Sequence, residues 1–337
     1  MARNTTIVDV ARAAGTSVSS ASVALRGKAG VSDRTRARIL EAADRLGYQP
    51  DRRARLLRQQ RSRLLGVTFS VNQTFHSDVI GSLYRTTGHS GYDLLLSATT
   101  PTRSASEAVD SLLRDRCETL ILISPEIDEA ELDDLSGRAS VVTIGSDLLV
   151  DGVHSLRSDD HQGVADVVDH LVGLGHRHIT YVDGGTTAMT AIRREAYVGA
   201  MRARGLGGLV RVLRGKATEE SGIEAANRIL NAGEPLPTAI FAHNDMMAFG
   251  ILLTLRSRGV AVPEDVSVVG YDNTRLAALA TIQLTSVSQD AARLARAAVE
   301  RALMRAEDSV PAKEIVTPAR LVVRSTSGPP RPRHEGE

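Results

Sequence analysis

A single cysteine, Cys117, stands in all 337 residues, so an internal disulfide is excluded. Its context, CETLILIS, is apolar, which points to a packed thiol in a reducing compartment rather than a reactive one. Aromatic residues are scarce, at 3%. No apolar run approaches the ~18 residues of a membrane span, and the first residues hold no apolar core of a secretory signal. The expectation is a cytoplasmic chain with no membrane partner. No Ser/His/Asp or Cys/His set stands out, so the chain is not read as an enzyme. Gly184 and Gly185 lack the rest of a dinucleotide fingerprint, so no cofactor is expected. His176 and His178 have no third ligand nearby, which leaves no metal site. Leucine heptads that would build a higher oligomer are missing too.

What is present is a chain long enough for two to three domains, 42% apolar and 24% charged, as in ordinary soluble proteins. Its net charge of +1 hides an asymmetry. Residues 1–63 hold 14 Lys and Arg against 5 Asp and Glu, a net of +9, which leaves −8 for the remainder. A basic head on an acidic body suggests a head that meets phosphates.

That head centres on TIVDVARAAGTSVSSASVALRG, residues 6–27. Thr6 is placed to cap a first helix, with Asp9 reaching back as in a capping box. Ile7, Val10, Ala11 and Ala14 give that helix one apolar face, and Gly15 ends it. Ser17 caps a second helix carrying Ala21, Ala24 and Leu25 on one side, with Gly27 as its stop. Such a pair matches a helix-turn-helix whose second helix enters a major groove; a helical hairpin that merely packs is the alternative. Ser32 caps a third helix to about Leu46, with Ile39, Ala43 and Leu46 inward and Arg34, Arg36, Arg38 and Arg45 outward or partly so. After Pro50 comes DRRARLLRQQR, whose only apolar residues are Ala54, Leu56 and Leu57. It is expected to be a linker when free and a helix when its arginines meet DNA.

From Leu64 onward, short β-rich runs alternate with amphipathic stretches: LLGVTF, a helix over about 77–90, YDLLLSAT, a helix over 104–114, ETLILIS, ASVVTIG and so on to DVSVVGYD. That alternation predicts parallel sheets with helices on both faces, too many strands for one sheet, and so two half-domains meeting near Asp160. Ligands of such sheets sit at the carboxyl ends of strands. There the chain places Ser124, Asp183, His243, Asn244, Asp245, Tyr271 and Asp272, with Arg193 opening the helix after Asp183. An Arg, Asn and Asp together suit hydroxyl groups, since two donate and one accepts. Alternatively, Asn244 and Asp245 only cap the following helix. The tail PPRPRHEGE reads as disordered.

These stretches together resemble the lac repressor/galactose repressor family of bacterial transcription regulators. The head follows its pattern T-[IL]-x-D-V-A-x-x-A-G, and VDHLVGLGHRHITYV, AIFAHNDMMAFGILLTLRSRGVAVPEDVSVVGYDNT, LTSVSQD and PARLVVRSTS extend the match over nearly the whole chain. The resemblance implies a small all-α helix-turn-helix head (1–49), a hinge (50–62) and an α/β body (63–325). That body would have two doubly wound parallel-sheet subdomains, similar to periplasmic sugar-binding proteins. The first subdomain would take about 63–160 plus 290–320, the second about 161–289, with a disordered tail at 326–337. By position, Val18, Ser19 and Val23 match base-contacting sites, and Thr6, Ser17, Ser20 and Ser22 match sites that touch or cap toward phosphate. Arg26 replaces a usual Asn, and Ala21 and Val23 replace Val and Arg. Arg53, Ala54 and Leu57 fall in the hinge, where a leucine pair enters the minor groove. Arg193, Asn244 and Asp272 match effector contacts, and Phe75 matches the second aromatic of the family's N-P-F-F segment, here NQTFH. Ser124 and Asp160 lie on the cleft side. The implied function is a dimeric, repressing regulator on a palindromic operator, controlled by a small polyhydroxylated effector such as a sugar. A sugar-binding transport receptor would fit the body alone.

Overall fold

The computed structural model describes residues 5–25, 27–48, 62–304 and 314–331. Arg26, Arg53, Ala54 and Leu57, assigned above to DNA contact, lie outside the described residues, as does the hinge segment 49–61. The described chain forms two compact units, residues 1–62 and 63–337.

The first unit is three helices: α1 (Ile7–Ala13), α2 (Val18–Leu25) and α3 (Asp33–Arg45). The capping box at Thr6 and Asp9 is present, and Ser17 Oγ accepts the Ser20 N–H at 3.1 Å. Gly15, at φ +60, makes the turn between α1 and α2, a conformation that costs a side-chain-bearing residue a backbone clash. Val10, Ala11, Ala14, Ala21, Ala24, Ile39, Ala42 and Ala43 fill a core of mostly small side chains. Leu46 does not join it, since α3 ends one residue earlier and leaves the side chain exposed; Ala42 takes the place expected for it. Two of the arginines expected outward or partly so keep that placement and also bond internally. Arg36 donates to Ala24 O at 3.1 Å and Lys28 O at 2.6 Å, and Arg38 to Ala14 O at 2.8 Å. Each places a guanidinium on the carbonyls at the C-terminal end of a helix, where the backbone dipoles favour a cation.

The second unit comprises β1 (Leu64–Ser70), α4 (Thr74–Thr87), β2 (Asp93–Thr99), α5 (Ala105–Arg114), β3 (Thr119–Ile123), α6 (Glu129–Ser136), β4 (Ser140–Ile144) and β5 (Val153–Ser158). It continues with α7 (Asp160–Gly173), β6 (Ile179–Val182), α8 (Ala188–Ala203), β7 (Arg211–Leu213), α9 (Glu219–Leu230), β8 (Ala239–Ala242), α10 (Asp245–Ser257) and β9 (Ser267–Asp272). β10 (Thr285–Ser288), α11 (Ala291–Leu303), β11 (Glu314–Thr317) and β12 (Arg320–Val322) complete it. Two six-stranded sheets result, ordered β11-β5-β4-β3-β1-β2 and β12-β10-β9-β8-β6-β7. Pairing is parallel throughout except for β12 against β10.

Each sheet is covered on both faces, so its central strands are buried along their length, as VSVVG and TLILI suggest. In the first subdomain, α4 and α11 pack on one face, and Val109, Leu112, Leu132 and Leu135 from α5 and α6 on the other. In the second, α7 and α8 cover one face, and α9 and α10 the other. Among the described residues the chain passes between subdomains three times: after β5, after β10 and between β11 and β12.

The subdomain limits expected near the chain's end need correction. Residues 320–331 belong to the second subdomain, and 326–331 are not a disordered tail. Thr326 is wholly buried, its Oγ1 donates to Val268 O at 2.7 Å, and its carbonyl accepts the Val268 N–H at 2.7 Å. His176 Nε2 sits 2.9 Å from Gly328 O, which gives this histidine a structural role in holding that segment. Among the described residues no group of three potential metal ligands forms. Cys117 is packed against Leu112 and Leu120, and burial, aided by Asp115, pushes its thiol up to about 11.

Candidate functional site

The carboxyl ends of both sheets face one cleft of about 760 Å³. Strand β1 leads into the Gln73–Phe75–His76 side, β3 into Ser124, β9 into Asp272, and the N-terminal turn of α8 contributes Thr187 and Thr190. Both Ser124 (φ +44) and Asp272 (φ +109) hold left-handed backbone conformations. Such geometry costs on the order of 1–3 kcal/mol per residue and is found where a site requires it.

Arg193 is the cleft's central charge. Its Nε donates to Asp160 Oδ1 at 2.8 Å, its NH1 to His243 O at 3.0 Å, and its guanidinium lies 3.8 Å over the Tyr271 ring. Burial works against its charge, but Asp160, Tyr271 and Asp272 outweigh that and hold it above the usual arginine range. Asp160 is thus behind Arg193, orienting it, and is not itself part of the cleft wall. Asp272 Oδ1 accepts from Gln289 Nε2 at 2.5 Å, and Gln289 Oε1 accepts from Ser158 Oγ at 2.9 Å. Burial pushes the Asp272 carboxyl up, Arg193 pulls it back, and Asp245 pushes it further up.

Asn244 does both things its position allows. Its Oδ1 accepts the Met247 N–H at 3.0 Å as the cap of α10, while Nδ2 donates to Gln73 Oε1 and Ala217 O, both at 3.3 Å. Asp245 is turned away from the cleft and accepts from Thr274 and Ser286. Asp183 is buried against Arg194 at 2.8 Å and Arg214 at 3.4 Å. Of the effector residues expected, Phe75, Ser124, Arg193, Asn244 and Asp272 therefore share one cavity, and Asp160 supports it.

Sequence reasoning passed over Gln73, His76, Lys216 and Gln289, all of which line the same cavity. His76 and Gln73 flank Phe75 in NQTFH, so proximity to that aromatic was the available signal. Ser70 N–H donates to His76 Nδ1 at 2.9 Å, and burial drives the imidazole down to about 4. The neutral ring therefore carries its proton on Nε2. Gln289 follows β10, a strand whose short run TSVS has no distinctive pattern.

In the helical head, Val18 and Ser19 are exposed on α2, while Ser22 and Val23 are half-buried. Thr6, Ser17 and Ser20 are engaged in capping α1 and α2. The exposed face of α2 thus offers one apolar side chain and small hydroxyls, which suit thymine methyls and few base hydrogen bonds.

Comparison with known proteins matches residues 6–51 to the family of bacterial regulatory proteins, lacI family, and residues 168–327 to the periplasmic binding protein-like domain. Catabolite control protein A of Priestia megaterium is 31% identical over 293 residues, covering 85% of this chain and 88% of its own. The lac repressor dimer bound to operator and the anti-inducer ONPF superposes with a TM-score of 0.83 at 26% identity, over 97% of this chain and 100% of that one. The transcriptional regulator CelR in complex with cellobiose gives 0.68 at 25%, over 96% and 100%.

Proposed function

This chain belongs to the lacI family of bacterial regulatory proteins and is a DNA-binding transcriptional regulator; from that premise we propose that it is a repressor whose operator affinity is set by a small polyhydroxylated effector, such as a sugar, bound in the cleft. The cleft carries this reading: a cavity of about 760 Å³ at the carboxyl ends of two sheets, with a buried, paired guanidinium, a carboxyl, amides and hydroxyls on its wall. Charged and amide donors opposite acceptors are what a ring of hydroxyls needs. The CelR–cellobiose complex supports the ligand class, and the lac repressor dimer bound to operator supports a dimer on DNA, whose two heads suit a palindromic site. A ligand that favours one closure state of the cleft shifts that state's population and, through it, DNA affinity.

Mobility shifts on a library of duplexes, repeated over a salt series, test the DNA half. Affinity should fall steeply with salt and favour palindromes, and Val18→Glu, which sets a carboxylate on the exposed face of α2, should abolish the sequence preference. A thermal-shift screen of sugars, sugar phosphates and nucleosides tests the other half, because a ligand of the folded state raises Tm. A flat salt response, or no Tm shift with any sugar, defeats the corresponding half.

A further inference from the structure

Gln73 stands at the cap position of α4, yet its side chain makes no cap. It reaches across the cleft instead. Its Nε2 donates to Ala217 O at 3.0 Å, and its Oε1 accepts from Asn244 Nδ2 at 3.3 Å. Gln73 lies on the first subdomain, whereas Ala217 and Asn244 lie on the second, so these bonds bridge the cavity.

A primary amide has two N–H donors and an oxygen with two lone pairs. Both donors of Asn244 are committed, one to Gln73 and one to Ala217, and its oxygen is engaged as the cap of α10. Gln73 has capacity to spare: each end of its amide makes one bond across the cleft, leaving one N–H and one lone pair. That amide is half-buried and lines the same cavity as Phe75, Arg193 and Asp272.

We propose that Gln73 is a specificity-determining residue of the cleft: its amide, clamped by Asn244 and Ala217, is the group that meets a ligand hydroxyl at this point. Asn244 acts through it as a positioning residue. Because the clamp spans two subdomains, the same contact ties ligand recognition to closure. The inference rests on the reading of the cleft as a site for a polyhydroxylated effector.

Gln73→Leu removes the amide at similar length, and Gln73→Glu keeps an acceptor but sets a carboxylate against the Ala217 carbonyl. The full chain and both variants are titrated by calorimetry with D-glucose, D-galactose, D-ribose and cellobiose. A sugar bound by the wild-type chain should bind each variant about tenfold more weakly, the effect of one lost hydrogen bond. Equal affinity for every bound sugar overturns the proposal. If none of the four binds the wild-type chain, the sugar reading falls, and Gln73 is judged in the ligand-free protein. Fluorophores on His89→Cys and Arg202→Cys, exposed positions on opposite subdomains, report closure by energy transfer. Gln73→Leu should move the population to longer separations; an unchanged distribution overturns the clamp and the proposal with it.

Discussion

Arg193 is held by a carboxylate, a carbonyl and an aromatic face at once, with its side chain almost wholly buried. A buried charge of this kind is stable only as part of such a set, because removing one partner strands the other out of water. Asp160→Asn keeps the shape of the side chain and removes its charge. It should lower unfolding free energy by about 3 kcal/mol or more in urea titrations, and weaken any effector bound beside Arg193. A loss under about 1 kcal/mol would mean that His243 O and Tyr271 suffice to hold the guanidinium. Much of this site was legible from residue type and position: Ser124, Asn244 and Asp272 stand where strands open onto a crevice, while Arg193, expected to open its helix, lies in the second turn of α8. Its bonding was not. Whether Asp183 turns to the cleft or to Arg194 and Arg214 depends on residues up to 31 positions away, and no local pattern encodes that choice.

Helices α9 and α10 meet through reciprocal glycines. A Cβ on Gly222 would stand 2.1 Å from Met247 O, and one on Gly250 2.1 Å from Glu219 O. The helices approach so closely that each glycine faces the other's backbone, which cannot move aside as a side chain can. Gly222→Ala should therefore cost about 2–3 kcal/mol in a denaturant titration, the usual penalty for overpacking. Gly199, in α8, has nothing within 4 Å of where a Cβ would stand. Gly199→Ala should stabilise by about 0.5–1 kcal/mol, since alanine gives up less backbone freedom in a helix. Opposite signs are expected from the same chemical change, and like signs would refute the packing argument. Elements with strong local signals were readable from sequence: α1 from Thr6 and Asp9, β3 from TLILI, α10 from its apolar run. Strand β5, VHSLRS, and strand β10, TSVS, were not, because polar residues on them are made acceptable only by neighbouring strands. The antiparallel edge strand β12 is likewise a product of long-range pairing, with no signature of direction in RLV.

At the scale of the whole molecule, several histidines are driven toward the neutral form by burial. Burial drives His76 down to about 4, His243 well below its ordinary value with help from Arg193, and His170 and His176 downward as well. The unfolded chain binds protons at these groups below about 6.5 that the native state refuses, so the histidines subtract from stability as pH drops from 7 toward 4. For His76 alone the difference is worth about 3 kcal/mol by pH 4. Asp245 and Asp272, pushed up chiefly by burial, hold protons in the native state over the same range and oppose that loss. From pH 7 to pH 4, urea midpoints of His76→Asn should therefore hold up better on acidification than those of the wild-type chain. An unaltered slope in that variant would remove His76 from the account.

The three passages between subdomains bear on the order in which the body is synthesised. The helical head is complete in the first 62 residues, so a growing chain presents it early. The first sheet lacks its edge strand until Glu314–Thr317 is made, and the second lacks β12 and the residues that pair with Val268 and Thr285 until Thr326 follows. Neither half of the body can finish before the other is nearly translated. A ribosome delayed late in the message would thus hold a nascent protein that already displays its DNA-reading head while its ligand-sensing body is unfinished.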